Sequence, residues 1–235
     1  RVPFLVYAVA LLLAAARVGV FLSGSSLRPA GGAPVLPVMT VHDAWRDSAY
    51  RASIASAFAN GWANFGVRAA ILPLFAAVVI GKEPWVAGMA LAVFAAGNAV
   101  GLTVAGRMSD RLGRRPFIIG GLLVSGVATA VTGFATDLPT LVVLSVVAGF
   151  GAGALNPAQQ ASLADVVGRE RNGGPALAAF QMSADTGAII GPILAGLLID
   201  YGSYPLAFGT TGLITLLAVI PWLRARETHE VTRAS

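Results

Sequence analysis

An all-α membrane bundle is the fold class this sequence predicts, and three observations predict it. The 235 residues are 56% hydrophobic and only 11% charged, where a soluble domain carries roughly a quarter charged residues. Mean hydropathy is +0.76. The apolar residues stand in long runs divided by short polar stretches, without the alternation of half-buried strands. A helix needs about 20 apolar residues to cross a bilayer. Seven runs meet or approach that length: Val2 to Leu22, Ile54 to Ile80, Pro84 to Ala105, Pro116 to Ala135, Leu138 to Val167, Pro175 to Ile199 and Pro205 to Leu223.

The first run begins behind Arg1, with no initiator Met and no small-residue cleavage site after it, so it reads as a helix of a truncated chain rather than a signal peptide. Ser23 to Tyr50 follows, rich in Gly, Pro and Ser and then polar around His42, Asp43, Trp45 and Arg46. It is the only long linker. Gly81 to Glu83, Thr136 to Asp137 and Tyr201 to Tyr204 are short, which makes consecutive helices antiparallel neighbours.

A net charge of +5 and a pI near 10.4 raise the question of nucleic acid. Such a surface needs its basic residues gathered on a soluble face with stacking aromatics. Here they sit at the ends of apolar runs, where they set orientation, because Lys- and Arg-rich connections stay in the cytoplasm. One side collects Arg28, Arg46, Arg51, Arg107, Arg111, Arg114, Arg115, Arg169, Arg171, Arg224, Arg226 and Arg233, and the other has Lys82 and Arg1. The long linker, the arginine-rich connection and the C-terminal end are therefore expected in the cytoplasm, and the chain in the plasma membrane. Cysteine is absent, so disulfides and thiolate sites are excluded. No zinc-spaced histidines, Ser-His-Asp arrangement or P-loop appears, and Gly149-Phe150-Gly151-Ala152-Gly153 lies inside an apolar run with no strand before it, as helix packing requires. No enzyme activity, metal or cofactor is expected.

The third and fourth runs are joined by Gly106-Arg107-Met108-Ser109-Asp110-Arg111-Leu112-Gly113-Arg114-Arg115-Pro116. Gly106 and Gly113 permit close backbone approach and a tight turn, and Asp110 among Arg107, Arg111, Arg114 and Arg115 can take charge-assisted hydrogen bonds. This stretch resembles the signature of the major facilitator superfamily, G-x-x-x-D-R-x-G-R-R, at every defining position. The resemblance implies a cytoplasmic loop between the second and third helices of a six-helix half, acting as a conformational latch whose Asp faces the N-terminus of a helix in the opposite half. A plain topology anchor is the alternative for these arginines.

Gly187-Ala188-Ile189-Ile190-Gly191-Pro192-Ile193-Leu194-Ala195-Gly196 resembles the glycine-proline motif of proton-coupled antiporters in that family, with Ala195 in place of its usual Gly. The motif belongs to the fifth helix of the N-terminal half, and this helix reads as fifth in the C-terminal half. On residues alone, Gly187, Gly191 and Gly196 mark a small-residue packing face and Pro192 a kink. The domain reading follows: 1–22 is the last helix of a preceding half, 23–50 a cytoplasmic linker, 51–224 a C-terminal six-helix bundle and 225–235 a cytoplasmic tail. In the rival register the second run is helix one of an N-terminal half, and the first run is then surplus.

A charged group deep in a membrane helix is a functional candidate by default. Asn60, Asn64 and Arg68 recur every four residues and form one stripe. They are candidates for a substrate path together with Asn98, Asn156, Gln159 and Gln181. Arg68 reads equally well as a residue snorkelling to the interface. Asp185, four residues after Gln181, is the candidate for proton coupling, since a poorly hydrated carboxyl group titrates nearer neutrality; a structural Asp bonded to neighbouring helices is the other reading. The function expected is a secondary active transporter moving a small solute by alternating access, with protons as the coupling ion. Its partners are the lipid bilayer and the preceding six-helix half. The alternative is a non-transporting membrane scaffold or sensor that keeps half of such a fold.

Overall fold

The computed structural model describes residues 12–13, 15–20, 36–80, 83–168 and 171–229. It divides into two units, Arg1–Leu36 and Pro37–Ser235. In the first unit, residues 12–13 and 15–20 are helical, and the rest of the expected first crossing lies outside the described residues.

Among the described residues, the second unit contains six helices long and apolar enough to cross a membrane. A short helix α1 (Val41–Trp45) leads into α2 (Ser48–Ile80), and α3 (Pro84–Leu112), α4 (Arg114–Thr132), α5 (Leu138–Val167) and α6 (Gly174–Asp200) follow. The last crossing is made by α7 (Tyr204–Leu217) and, after a break at Ala218, α8 (Val219–Arg224). Pro stands in the first turn of α3, α5, α6 and α7, where its missing N–H removes no helical bond. Asp137 and Ser203 cap α5 and α7 through bonds to Thr140 N and Leu206 N.

Two corrections concern boundaries. The first described span starts at Ser48, six residues before the expected Ile54, because Asp47 caps it through Ala49 N at 2.8 Å. The signature is not a loop. Helix α3 continues to Leu112, α4 starts at Arg114, and Gly113 alone lies outside regular helix. Hydropathy marks where the apolar run ends, whereas the backbone stays helical through polar residues of good helix propensity.

The segment read as a linker folds back on the bundle from residue 37 onward. Met39 N donates to Asn172 O and Asn172 N to Pro37 O. Met39, Ala44 and Tyr50 are buried with Leu163, Ala176 and Phe180, and the Tyr50 hydroxyl donates to Ala176 O at 2.9 Å.

Packing within the bundle rests on close backbone approach. Helix α5 lies against both α3 and α4, and its glycines divide the work: a methyl on Gly149 or Gly153 would overlap the carbonyl oxygens of Phe94 or Asn98 in α3, while one on Gly151 would crowd Ser125 N in α4. Without a hydrophobic difference between helix and lipid, such small-residue seams carry much of the association. Coverage is uneven. The apolar windows of α3 and α6 are 22% and 17% buried, against 44–50% for the other spans, so these two helices present the barest faces.

Candidate functional site

Two polar sites stand out in this bundle, one at mid-span and one at the arginine-rich end. The first is organised by α2, which is not a regular α-helix throughout: Gly61–Val67 and Ala76–Ile80 are π-helical. Such segments interrupt the usual i→i−4 ladder and frequently mark functional positions. The Gly61–Val67 turn seats on α6, where Gly187 fits against Phe58 O and Trp62 N, and Gly191 against Trp62 O. Gly196 has no neighbour of this kind. Trp62 is further fixed by its indole N–H, which donates to Thr211 Oγ1 at 3.2 Å.

Asn60, Asn64, Asn98 and Asn156 converge on one cavity of about 480 Å³, walled otherwise by side chains that include Phe65, Phe94, Leu102 and Thr103. Asn64 Nδ2 donates to Asn60 Oδ1 at 2.7 Å, and Asn60 Nδ2 to Asn156 Oδ1 at 3.1 Å. This relay joins α2 to α5, and buried Asn64 Oδ1 is left without a donor. Asn98 enters from α3.

The other expected path residues lie elsewhere. Gln159 is 2% exposed and its amide donates to Ser53 O and Ser56 Oγ, so it fastens α5 to α2. Gln181 is exposed on α6 and donates to Asp185 Oδ1 at 3.0 Å. Asp185 is exposed as well. Arg68 does not reach an interface: it is 3% exposed, with Nη2 donating to Thr129 Oγ1 at 3.0 Å and its Cζ 4.2 Å from the centre of the Phe94 ring. The snorkelling reading of Arg68 is thereby corrected, since the guanidinium is enclosed by α3 and α4.

The second site gathers the signature residues. Arg114 Nη1 pairs with Asp110 Oδ1 at 3.0 Å and its Nε with Asp165 Oδ2. Arg115 turns away from Asp110; its guanidinium donates to the carbonyls of Trp222, at 2.7 Å, and Leu223, acceptors that the end of α8 leaves unpaired. Arg107 and Arg111 are exposed and form no ion pair among the described residues. The expectation of four arginines around one Asp is thus corrected to one, because helical continuation spreads the others around the axis. Gly106 is corrected too, being mid-helix with open space beside it.

Gly113 has φ +98, and a methyl there would stand 2.8 Å from Glu227 Oε2. That carboxylate accepts the N–H groups of Arg114 and Arg115 at 3.0 and 3.1 Å, satisfying free donors at the positive end of α4. The neighbouring Arg226 pairs with Asp47 at 2.6 Å, a hydrogen bond that holds its guanidinium above the ordinary arginine range, and Thr228 Oγ1 donates to Ser162 Oγ. Sequence reading missed Asp165, Glu227 and Asp47. Their only signal was acidic residues facing an arginine-rich end, with nothing to say which would meet.

Six apolar helices, three of which meet at a mid-span cavity carrying four asparagines, define a multi-pass membrane protein of the helical-bundle class. The Major Facilitator Superfamily model matches residues 53–235, and the chain belongs to that family. It is 28% identical over 165 residues to the uncharacterized MFS-type transporter YybF of Bacillus subtilis strain 168, covering 69% of this chain and 41% of the relative. It is 30% identical over 131 residues to the multidrug resistance protein MdtG of Yersinia enterocolitica, covering 55% and 31%. A crystal structure of the peptide transporter POT superposes with a TM-score of 0.67 at 17% identity, over 85% of this chain and 43% of that one, a likeness of fold. The chain spans about two fifths of the length of YybF.

Proposed function

We propose that this chain is the C-terminal half of a secondary active transporter, in which the asparagine-lined cavity takes a small solute and alternating access moves it across the plasma membrane. The observation that carries the reading is the cavity itself. Asn60, Asn64, Asn98 and Asn156 from three helices converge at mid-span in a family member, where a hydrogen-bonding cavity suits a partly polar solute better than lipid. Substrates of transporters built from repeats bind near the midplane, between the repeats. The bare faces of α3 and α6 suit a preceding six-helix half, and the arginine-rich end then lies in the cytoplasm.

Asp185 is the proton-coupling group in this proposal. It projects from the barest span and takes its hydrogen bond from Gln181, a neutral partner, so protonation breaks no ion pair. The test is flux of a mixed solute panel in vesicles, with and without an imposed pH gradient, comparing this chain alone with the chain joined to its native upstream sequence. Flux only in the joined form, abolished by Asn156→Ala, supports the proposal. Gradient-driven flux unchanged by Asp185→Asn removes Asp185 from the coupling role, and no flux in either form leaves the scaffold or sensor reading as the better account.

A further inference from the structure

Arg68 carries more hydrogen-bonding capacity than its surroundings use. Its Nε and Nη1 are both buried and have no partner, which leaves three N–H bonds of a permanently charged group unanswered. Its contacts are neutral ones, the Thr129 hydroxyl and the face of Phe94. It takes part in none of the ion pairs among the described residues. Buried polar groups are nearly always paired, and an isolated charge in a membrane interior is strongly unfavourable. A purely structural Arg would be expected to have its donors filled by backbone carbonyls or a carboxylate.

The route to this group is equally specific. Arg68 lies one turn beyond Asn64 on the same helix, yet the guanidinium does not line the asparagine cavity; Phe94 does. The same ring stacks on the guanidinium at 4.2 Å. Phe94 thus touches both the cation and the cavity and stands between them. Arg68 is 3% exposed within its own unit, so a counter-charge from outside the unit has to be a small group that can pass the side chains enclosing it.

We propose that Arg68 is the recognition site for an oxyanion on the transported solute, a carboxylate or a phosphate, and that Phe94 is the aromatic gate between the guanidinium and the cavity. This rests on the reading of the cavity as a solute site, and it narrows the solute to an anionic one. Arginine suits the role because its planar donors match both anions.

The experiment uses the purified protein with its native upstream sequence and three probes of one shape: benzoate, phenyl phosphate and neutral benzamide. Thermal unfolding is followed against probe concentration for the wild type, Phe94→Ala, Arg68→Lys and Arg68→Gln. An anion-dependent rise in the midpoint is expected in the wild type and absent with benzamide. Phe94→Ala is expected to reach half-saturation at about tenfold lower anion concentration, because the open form no longer has to be selected. Arg68→Lys weakens the response and Arg68→Gln abolishes it. Whichever anion saturates first assigns the carboxylate or the phosphate.

If Arg68→Gln does not fold, labelling of Arg68 by phenylglyoxal replaces it: reaction is faster in Phe94→Ala and is blocked by the effective anion. No anion response in either the wild type or Phe94→Ala, or a full response in Arg68→Gln, overturns the proposal, and equal responses in the wild type and Phe94→Ala overturn the gate. Anion binding without flux in vesicles leaves the Arg68 site standing and removes transport, whereas flux of neutral solutes with no anion response does the reverse.

Discussion

The two ends of the charge distribution obey opposite rules. At the arginine-rich end, Arg114, Arg115 and Arg226 are matched to Asp110, Asp165, Asp47 and free carbonyls, although water is close by to serve them. In the middle of the bundle, Arg68 has no anion beside it and two buried nitrogens without a protein partner. Paired charges at the rim hold helices in place, whereas the buried one in the interior meets only the Thr129 hydroxyl and the Phe94 ring. What sets Arg68 apart is burial without a counter-charge, since Arg107 and Arg111 at the rim also lack an ion pair among the described residues but are exposed.

The largest effect expected of a single change is at the rim. Gly113→Ala forces a non-glycine residue into positive φ and drives its methyl against Glu227; strain of about 1–3 kcal/mol adds to the loss of two bonds worth roughly 1 kcal/mol each. Unfolding of the purified protein in graded denaturing detergent checks this, and an unchanged midpoint would mean the joint relaxes freely. Next is Gly153→Ala, which sets a methyl against the Asn98 carbonyl. Overpacking of this kind costs about 1–3 kcal/mol, and because Asn98 is displaced, the cavity response to solute is expected to fall along with stability. Loss of stability with solute binding intact would uncouple the seam from the site.

Arg114→Ala is the third test. Its side chain is 11% exposed and serves two carboxylates that are themselves partly exposed, so its removal is expected to destabilise by about 1–3 kcal/mol. Asp110→Asn should change stability by less than about 1 kcal/mol, since that partner is 61% exposed. A double-mutant cycle of Arg114 with Asp165 reads the coupling directly, and a value near zero would reduce the cluster to a topology anchor. The smallest effect is at α1, where Thr40 and Asp43 form a reciprocal cap. The Thr40 hydrogen bonds hold the Asp43 carboxyl below its usual range. Its contribution is therefore full above the unfolded pKa near 3.9 and is lost as pH falls through the lower folded value. A lower amide protection factor in Val41–Trp45 at low pH, with the rate referred to that of an unstructured peptide at the same pH, would show it; an unchanged factor would assign the docking of α1 to Met39 and Ala44 alone.

Much of the fold was legible because it is written in hydropathy and in single-residue signals. The six apolar runs from Ile54 to Leu223 each correspond to a crossing, and the G-x-x-x-D-R-x-G-R-R stretch identified the family that matches residues 53–235. The stripe of Asn60 and Asn64 was visible from helical spacing, and both line the cavity. What stayed hidden depended on three-dimensional partners. The spacing that grouped Arg68 with them carries no information about the Phe94 ring over it. Gln159 looked like a path residue because a sequence cannot distinguish an amide turned to a cavity from one clasping Ser53. The π-helical turn at Gly61–Val67 shifts the register that any 3.6-residue reading assumes.

The single-residue junction at Gly113 has a mechanical meaning. A flexible loop lets two rods slide, whereas a joint one residue long transmits torque between them. With α5 wedged along both α3 and α4, these three helices form a braced lever whose elbow is Gly113 and whose stop is Glu227. Lengthening the elbow by one residue would carry the Arg114 and Arg115 N–H groups away from the Glu227 carboxylate that holds them. An insertion there would therefore unseat the whole brace, while the same insertion in the Tyr201–Ser203 connection would be taken up as slack.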